Sequence, residues 1–346
     1  MAWSSTKRNP KSSNEHTDDL EWTKDINSNS FLAEERRLLS SERHSLQKPI
    51  TNQVSQKRLN KFNILVNQMT PEQLDKELKK RQLSTSGEIE IQRFRLKHHY
   101  KLELIYGCEN PLKMIEQHFE YLAVVDFEAT CEDKQVNYQH EIIEFPIVLI
   151  DVQQQIIVDQ FQSYCRPIIK PILSKFCTEL TGIEQHQVDN APSFVEVLHN
   201  VETWLNKRNL LSTTNQRKLA FATDGPWDFA NFLRMQCHLS SITYPRWAKK
   251  WINIRKEFAK FYPVHRCGIE KMLKNLGLSF DGRPHSGIDD AINIARITLE
   301  LLKDGCILSL NDEIRASDPK FAAITDKNTE FNEDTDGEDD QIVFED

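Results

Sequence analysis

Asp126 and Glu128 are two residues apart at the end of an apolar run, in YLAVVDFEATC. The run from Leu122 to Phe127 is short and rich in valine, which is typical of a buried β-strand. Because residues i and i+2 of a strand point to the same face, both carboxylates are expected to project together. Paired acids repel each other and lose hydration, and a divalent cation with oxygen ligands relieves both costs. An isolated Asp-x-Glu also fits a solvated strand end, so the interpretation depends on the rest of the chain.

Two further segments supply acids and a histidine. In KLAFATDGPWDF an apolar stretch ends at Asp224, and acids at the carboxyl ends of strands lie where open α/β sheets bind ligands. In GRPHSGIDDAINIARITLELL, His285 lies in a Gly/Pro-rich loop and Asp290 follows in the first turn of an amphipathic helix. A carboxylate is favoured near a helix N-terminus, and a loop-borne histidine can move towards a substrate. Singly these residues fit a turn, a helix cap and a surface histidine, whereas their ordered combination indicates chemistry.

That chemistry is an in-line phosphoryl displacement. Two metal ions about 3.5–4 Å apart can clamp the attacking and the leaving oxygen of such a reaction. Carboxylates hold the pair without sulfur or nitrogen ligands, which suits Mg²⁺ or Mn²⁺ better than Zn²⁺. A histidine has the intrinsic pKa suited to removing a proton from the attacking water. The sequence therefore predicts His285 as the general base and four metal ligands: Asp126, Glu128, Asp224 and Asp290.

This arrangement resembles the DEDDh family of 3′-to-5′ exonucleases. Within that family, the chain looks like the histone-mRNA 3′-exonuclease or enhanced-RNAi exoribonuclease group. The stretches that carry this resemblance are FEATCE, HEIIEFP, FCTELTGIEQHQVDNAPSF, TDGPWDF, YPRWAKKWINIRK and DGRPHSGIDDAINIARI. They run from about residue 121 to residue 311, and AKKWINIRK is the most specific of them.

The resemblance implies removal of nucleoside 5′-monophosphates from RNA 3′ ends, with two Mg²⁺ ions as cofactors and Mn²⁺ as a substitute. It implies catalytic roles for His285 and Glu128, and contacts to the terminal nucleotide from Glu128, Ala129 and His285. Implied substrates are the 3′ overhangs of small interfering duplexes, histone-mRNA stem-loops and the 5.8S ribosomal RNA end, and hence roles in gene silencing, histone-mRNA decay and ribosomal RNA processing. Implied partners are the ribosome, a histone stem-loop-binding protein and the small-RNA machinery.

The expected fold is α/β: a ribonuclease H-like exonuclease domain over residues 118–315, with a mixed sheet flanked by helices on both faces. Strands are predicted at 121–127, 142–150, 155–163 and 219–223. Helices are predicted near 192–206, 226–238, 266–276 and 288–303. HEIIEFPIVLID is apolar and alternates poorly, as a fully buried central strand would.

A small helical module precedes this domain, at residues 69–105. Thr70 is the predicted helix cap, Pro71 the first helical residue, and Leu74, Leu78 and Leu83 the buried stripe. The module resembles an SAP domain, in which the present chain has Ile89 where the family typically has a lysine. Phosphate contacts without sequence reading are predicted for a set of basic residues, unless they form only a solvated face: Lys79, Lys80, Arg81, Arg93, Arg95, Lys97 and Lys101.

A second basic stretch lies between residues 240 and 271, with eight Lys/Arg against two Glu and several interleaved aromatics. Such a pattern suits single-stranded nucleic acid, although aromatics at helical spacing are more often core. We expect the aromatics mainly inside and four cations outside, some of them touching substrate: Lys249, Lys250, Arg255 and Lys256.

Charge and composition indicate an intracellular protein. Residues 1–65 are polar and expected to be disordered, and so is the acidic tail at 326–346. The whole chain carries −8 and this tail −9, so the rest carries +1, and the overall acidity does not argue against nucleic-acid binding. The sequence contains no run of about 18 apolar residues, so no membrane span is predicted. The seven cysteines are predicted to be reduced thiols. The expected location is the cytoplasm and the nucleus, including the nucleolus.

Three functions compete at this stage: an RNA 3′ exonuclease, a DNA exonuclease of the same chemistry, and a non-catalytic RNA-binding protein. The complete set of catalytic residue types weighs against the third. The preference for RNA over DNA rests on the resemblance alone.

Overall fold

The computed structural model describes residues 53–133, 138–211 and 218–314. The predictions for residues 1–52 and for the tail at 326–346 lie outside these ranges. The chain divides into two units, residues 1–58 and residues 59–346. Residues 53–65, which were expected to be disordered, belong to helix α1 (Gln53–Gln68). That expectation was wrong for this stretch, because it forms a helix on which the apolar Leu59 is buried.

A seven-stranded mixed sheet forms the centre of the second unit. Its strands are β1 (Tyr121–Val125), β2 (Glu128–Ala129), β3 (Ile142–Asp151), β4 (Ile156–Tyr164), β5 (Leu219–Thr223), β6 (Lys250–Asn253) and β7 (Asp312–Glu313). They lie in the order β2-β3-β1-β5-β6-β7, and β4 also pairs with β3. Strands β1, β5 and β6 are parallel to one another, and the other pairs are antiparallel. The four predicted strands are present, although the first is interrupted after Val125.

The helices after α1 include all those at predicted positions, together with three at 175–181, 185–189 and 254–261 that were not predicted. They are α2 (Pro71–Lys80), α3 (Ile89–Tyr106), α4 (Lys175–Thr181), α5 (Gln185–Asp189), α6 (Phe194–Asn206), α7 (Arg234–Leu239), α8 (Ile254–Phe261), α9 (Ile269–Leu276) and α10 (Gly287–Lys303). A π-helix at Asp228–Leu233 leads into α7, within the segment 226–238 that was predicted as one helix. None of the described helices has the length and apolar character needed to cross a membrane.

Helices cover both faces of the sheet, as the sequence predicted. On one face, alternate strand residues such as Leu122 and Val148 pack with helices α8, α9 and α10. On the other face, the intervening residues such as Ala123 and Leu149 pack with α6 and the π-helix. All ten residues of β3 are buried, because strands pair on both its sides and helices lie above and below it.

The helical segment 69–106 has the predicted capping and core. Thr70 Oγ1 accepts the Gln73 N–H and the Gln73 side chain accepts the Thr70 N–H, which completes a capping box at α2. Leu74, Leu78 and Leu83 are buried in a small cluster of their own. Ile89, at the position where the resembled module has lysine, packs against the same cluster.

This segment packs directly on the domain that contains the sheet. The Glu88 N–H donates to the Asn275 carbonyl (2.8 Å), and a Cβ at Gly87 would lie 2.7 Å from that same oxygen. Gly87 has φ +99, so both its backbone conformation and this close approach require glycine. Ile91 of α3 belongs to the main core of the sheet, together with residues of α8 and α9. The segment is therefore packed into the same core as the sheet.

A buried ion pair joins the same two regions. Arg95 Nε donates to Asp304 Oδ1 (2.6 Å), and the Tyr262 hydroxyl donates to Asp304 Oδ2 (2.7 Å). Arg95 also donates to the carbonyls of Ser84 and Ser86 (2.8 and 3.0 Å). The side chain of Arg95 is 1% exposed, so the prediction that Arg95 contacts RNA phosphates is wrong. Its guanidinium instead binds Asp304 and the two carbonyls inside the protein, because a buried cation must be paired.

Candidate active site

The acid pair at the end of β1 is held by an interruption of the strand. β1 ends at Val125, the chain resumes pairing with β3 at Glu128, and a register shift follows between Glu128 and Ala129. Asp126 and Glu128 still project together, as their spacing predicted. One carboxylate oxygen from each of Asp126, Glu128 and Asp290 lies within 4.8 Å of the others.

Asp290 reaches this pair because the N-terminus of α10 packs against the end of β1. A Cβ at Gly287 would lie 2.7 Å from the Asp126 carbonyl oxygen, so only glycine permits this approach. The Gly287 N–H donates to Glu144 Oε2 (3.1 Å), and Gln162 Nε2 donates to Glu144 Oε1 (2.6 Å). Glu144 was not singled out from the sequence, yet its buried carboxylate caps α10 and fixes Asp290 relative to β3.

The electrostatics of the cluster favour a bound cation. Burial, followed by repulsion from Asp228 and Asp290, raises the pKa of Asp126 well above its usual range. Burial and Asp290 do the same to the pKa of Glu128. Burial raises the pKa of Asp290 to about 7, although the backbone N–H groups of His285 and Ser286 oppose this by hydrogen bonding. Strongly shifted acids gathered at one point are a common mark of a functional site.

The oxygen donors fit a hard divalent cation. Asp290 Oδ2 is buried and has no hydrogen-bond partner among the described residues, so this oxygen can serve as a ligand to a cation. The donors gathered here are carboxylate oxygens, without sulfur, and such a set suits cations of the Mg²⁺ and Mn²⁺ type. Asp126, Glu128 and Asp290 are thus the residues able to hold a divalent metal at this site.

Asp224 follows β5 at the same edge of the sheet, but its side chain has another partner. The Arg255 guanidinium forms an ion pair with Asp224 Oδ2, and the Arg255 N–H donates to the Asp224 carbonyl (3.1 Å). Asp224 does not belong to the three-residue cluster within 4.8 Å, although its charge contributes to the raised pKa of Asp126 and Asp290. Its role as a metal ligand stays a prediction.

Asp228 is the acid that the sequence interpretation missed. It opens the π-helix, is 6% exposed, and Oδ1 accepts the Phe127 N–H (2.8 Å) between Asp126 and Glu128. Burial raises the pKa of Asp228 to about 7, and Asp228 is in turn the strongest charged neighbour of Asp126. In TDGPWDF a second acid follows Asp224 by four residues, which could have indicated a further ligand. It was overlooked because the segment 226–238 was interpreted only as a helix.

His285 lies on the loop that leads into α10, with an exposed side chain. Its φ of +60 is in the left-handed region, which is uncommon for a residue with a Cβ. Partial burial and the charge of Arg283 lower the pKa of His285 from its usual value. The imidazole is therefore neutral, and able to accept a proton, at neutral pH. Ala129 is buried in β2 beside Glu128.

Most of the basic residues predicted to contact RNA already have acidic or amide partners. Arg81 pairs with Glu77 and Glu103, and its side chain is only 17% exposed. Other pairs are Lys79 with Asp75, Arg93 with Glu90, Lys97 with Asn67, Lys250 with Glu313 and Lys256 with Asp312. Lys80, Lys101 and Lys249 are exposed. The aromatics at 247–262 are mainly inside as expected, with Trp251, Phe258 and Tyr262 buried.

Comparison with known proteins agrees with this geometry. The family model described as Exonuclease matches residues 123–298. A protein of Rattus norvegicus named 3′-5′ exoribonuclease 1 is 43% identical over 255 residues, which are 73% of this chain and 72% of the rat protein. A protein of Schizosaccharomyces pombe named 3′-5′ exonuclease eri1 is 38% identical over 210 residues, 55% of this chain and 71% of the yeast protein.

Solved structures give the same answer. The nuclease domain of 3′hExo, described as a DEDDh family member bound to rAMP, is 47% identical with a TM-score of 0.55, over 57% of this chain and 98% of that one. A structure described as 3′-end specific recognition of histone mRNA stem-loop by 3′-exonuclease is 46% identical with a TM-score of 0.56, over 58% and 89% of the two chains. The expected ribonuclease H-like fold is thereby confirmed. With the acids gathered at the end of β1 and a family match across half its length, this chain belongs to the exonuclease family.

Proposed function

We propose that this chain is a 3′-5′ exoribonuclease that removes nucleoside 5′-monophosphates from RNA 3′ ends. The observation that carries the proposal is the cluster of Asp126, Glu128 and Asp290, with oxygens within 4.8 Å of one another. All three residues lie within the exonuclease match, and a relative that is 43% identical to this chain is named 3′-5′ exoribonuclease 1.

The acid cluster holds divalent cations, for which we propose two Mg²⁺ ions, with Mn²⁺ as a substitute. When bound, they supply positive charge that stabilises the negative charge developing on the phosphate, and they lower the pKa of the attacking water. Asp126, Glu128 and Asp290 bind them, and we propose Asp228 as the fourth acid in preference to Asp224. The preference follows from the ion pair that occupies Asp224 and from the position of Asp228 beside Asp126.

His285 is the proposed general base. It takes a proton from the attacking water, whose oxygen bonds to phosphorus as the bond between phosphorus and the 3′ oxygen of the preceding nucleotide breaks; that oxygen takes up a proton from solvent and becomes the new 3′ hydroxyl. The lowered pKa of His285, caused by partial burial and by Arg283, keeps the imidazole in the accepting form at neutral pH. Glu128 and Ala129 line the strand edge where the terminal nucleotide would lie, which agrees with the contacts that the resemblance implies.

For the physiological substrate we propose RNAs with a short 3′ overhang or a stem-loop: small interfering duplexes, histone-mRNA stem-loops and the 5.8S ribosomal RNA end. A similar solved structure is described as recognising the histone mRNA stem-loop, which supports the second of these. The ribosome, a histone stem-loop-binding protein and the small-RNA machinery are proposed partners. The cytoplasm and the nucleus, including the nucleolus, are the proposed compartments.

The deciding experiment compares matched RNA and DNA oligonucleotides, single-stranded and with duplex overhangs, labelled at the 5′ end. We expect Mg²⁺-dependent shortening from the 3′ end of RNA with release of 5′-monophosphates, and loss of shortening in Asp126→Asn. Faster shortening of DNA would overturn the RNA assignment and favour a DNA exonuclease.

The catalytic role of His285 is tested in the same assay. His285→Ala is expected to lower the chemical rate by roughly 10²–10⁴-fold while metal binding, measured by calorimetry, is retained. Loss of metal binding in that variant would instead make His285 a ligand.

A further inference from the structure

The loop that carries His285 is tied to helix α4 by the side chain of Arg283. Arg283 Nη2 donates to the carbonyl oxygen of Glu179, in the last turn of α4 (2.6 Å). The guanidinium lies over Gly182, the residue that ends α4, and a Cβ on Gly182 would collide with it. Arg283 therefore joins two elements that are 104 residues apart in the chain.

The backbone of Arg283 closes the turn around His285. Its carbonyl accepts the Ser286 N–H (3.2 Å), and its N–H donates to Asp289 Oδ2 (3.0 Å). His285 lies between these contacts with φ +60, a conformation that an L residue keeps only when its surroundings impose it. The turn is thus held by its own hydrogen bonds on one side and by the Arg283–Glu179 contact on the other.

The exposure of Arg283 indicates that its contact with Glu179 contributes little to stability. Arg283 is exposed, and a single exposed hydrogen bond adds little to the stability of a folded chain. A general base, by contrast, must meet its water within a narrow range of positions, and small displacements are costly to the rate. The contact between Arg283 and Glu179 adds little to stability but holds the loop that carries His285. It therefore fits a role in positioning the His285 imidazole.

We infer that Arg283 is a positioning residue that anchors the His285 loop to α4, so that the imidazole is presented to the acid cluster. This inference rests on the proposed function of His285 as the general base. Arg283 itself touches neither the metal-binding acids nor, in this role, the scissile phosphate.

The test uses the full chain and three variants. Arg283→Ala removes the anchor, and Arg283→Lys keeps a single donor on a flexible stem. Arg296→Ala is the matched control, because Arg296 also donates to a backbone carbonyl, that of Ser279 (2.9 Å), and to Asn293 Oδ1 (2.7 Å), and neither partner lies on the turn 283–286. It removes the same charge and the same kind of hydrogen bond.

For Arg283→Ala we expect kcat on a short single-stranded oligoribonucleotide to fall roughly tenfold or more, with KM nearly unchanged. Amide hydrogen exchange in the peptide 279–290 should become faster, while the melting temperature stays near that of the wild type. Arg283→Lys should recover part of the kcat, and Arg296→Ala should leave kcat and exchange in the His285 loop as they are.

An independent perturbation comes from the other side of the contact. Gly182→Ala removes the space that the guanidinium occupies, without changing the loop. Gly182→Ala should lower kcat in the wild-type background, because the added methyl group displaces the guanidinium. In Arg283→Ala it should not lower kcat further, because no guanidinium is left to displace. The backbone strain that alanine introduces at position 182 is the same in both backgrounds, so it cancels in this comparison.

The outcomes separate the inference from the function on which it rests. A wild-type chain that does not shorten RNA contradicts the proposed function, and the role of Arg283 falls with it. An active wild type with undiminished kcat in Arg283→Ala, or an equal loss in Arg296→Ala, overturns the anchoring role alone.

Discussion

At the scale of single residues, Asp126 is the most crowded acid of the site. Burial and four neighbouring carboxylates, Asp228 first among them, raise its pKa. A crowded, dehydrated acid cluster destabilises a chain without metal and becomes a strong site once a cation is bound. Asp224 and Asp228 lie four residues apart and both act on Asp126, so the proposal of Asp228 as the fourth acid is tested by replacing each of the two.

Asp228→Asn and Asp224→Asn separate the two candidates. The amide that replaces the Asp228 carboxylate keeps an oxygen for the Phe127 N–H, so the fold should survive while a ligand charge is lost. We expect activity to fall by more than the roughly 10–100-fold typical of residues outside the ligand sphere, and Asp224→Asn to stay within that range. Rates on a 5′-labelled oligoribonucleotide, with melting temperatures as the control for folding, measure this. The opposite order would restore Asp224 as the ligand.

The pH dependence of stability reports on the same acids. The folded-state pKa of Asp228 and of Asp290 is about 7, above the unfolded value of about 3.9. The folded chain therefore binds more protons between these limits, and stability without metal falls as pH rises from about 4 to above 7. We expect the melting temperature in chelator to be lower at about pH 8 than at about pH 5.5, and Mg²⁺ to raise it most at the higher pH.

Asp290→Asn is the control for that pH dependence. It removes one raised carboxylate and should flatten the fall in chelator. An unchanged slope would mean that groups outside the cluster cause it.

At the scale of elements, the site depends on how the N-terminus of α10 meets the end of β1. Gly287 permits the contact, Glu144 caps the helix, and Asp290 follows one turn later. The distance between β1 and α10, which are far apart in sequence, is thus set by the absence of a Cβ at Gly287 and by the buried carboxylate of Glu144.

Gly287→Ala tests this contact. The added Cβ would lie 2.7 Å from the Asp126 carbonyl oxygen, which is backbone and cannot move aside easily. Overpacking of this kind typically costs about 1–3 kcal/mol, and displacement of α10 should also weaken metal binding and activity. Urea unfolding and a metal titration measure both effects. Gly268→Ala at the start of α9 is the matched control, since nothing lies within 4 Å of its Cβ position, and it should be near neutral.

The sequence predicts elements better than it predicts partners. Strands such as 219–223 and the acids at their ends follow from apolar runs and local spacing, and three of the four predicted ligands do gather in one cluster. The ion pair of Asp224 with Arg255 joins residues 31 apart, and the approach of Asp228 to Phe127 spans 101. No local pattern encodes such pairings. Arg95 was misassigned for the same reason, since a basic residue on a helix shows its buried partner only in the folded chain.

At the scale of the whole molecule, the helical segment and the catalytic domain share a core and a buried ion pair. Arg95→Ala would leave Asp304 charged and buried without its cation, at a cost of about 3–5 kcal/mol. Replacing both partners by apolar residues, Arg95→Met with Asp304→Leu, should recover part of that loss, because the buried charge is removed while the Tyr262 hydroxyl and the carbonyls of Ser84 and Ser86 lose their partners. Urea unfolding of the two variants measures the difference.

Arg93→Ala is the control on the same helix. Its pair with the exposed Glu90 should be worth no more than about 1 kcal/mol. If the double replacement is as unstable as Arg95→Ala, packing at this position matters more than the uncompensated charge.

The burial of Ile91 in the main core has a thermodynamic consequence. A helix whose apolar residue belongs to the core of its neighbour cannot open alone without exposing that core to water. Helix α3 and the sheet should therefore behave as one cooperative unit, with a single unfolding transition in place of two. The exposed cations of the helical segment, such as Lys80 and Lys101, then keep a fixed position relative to the acid cluster once the chain has folded.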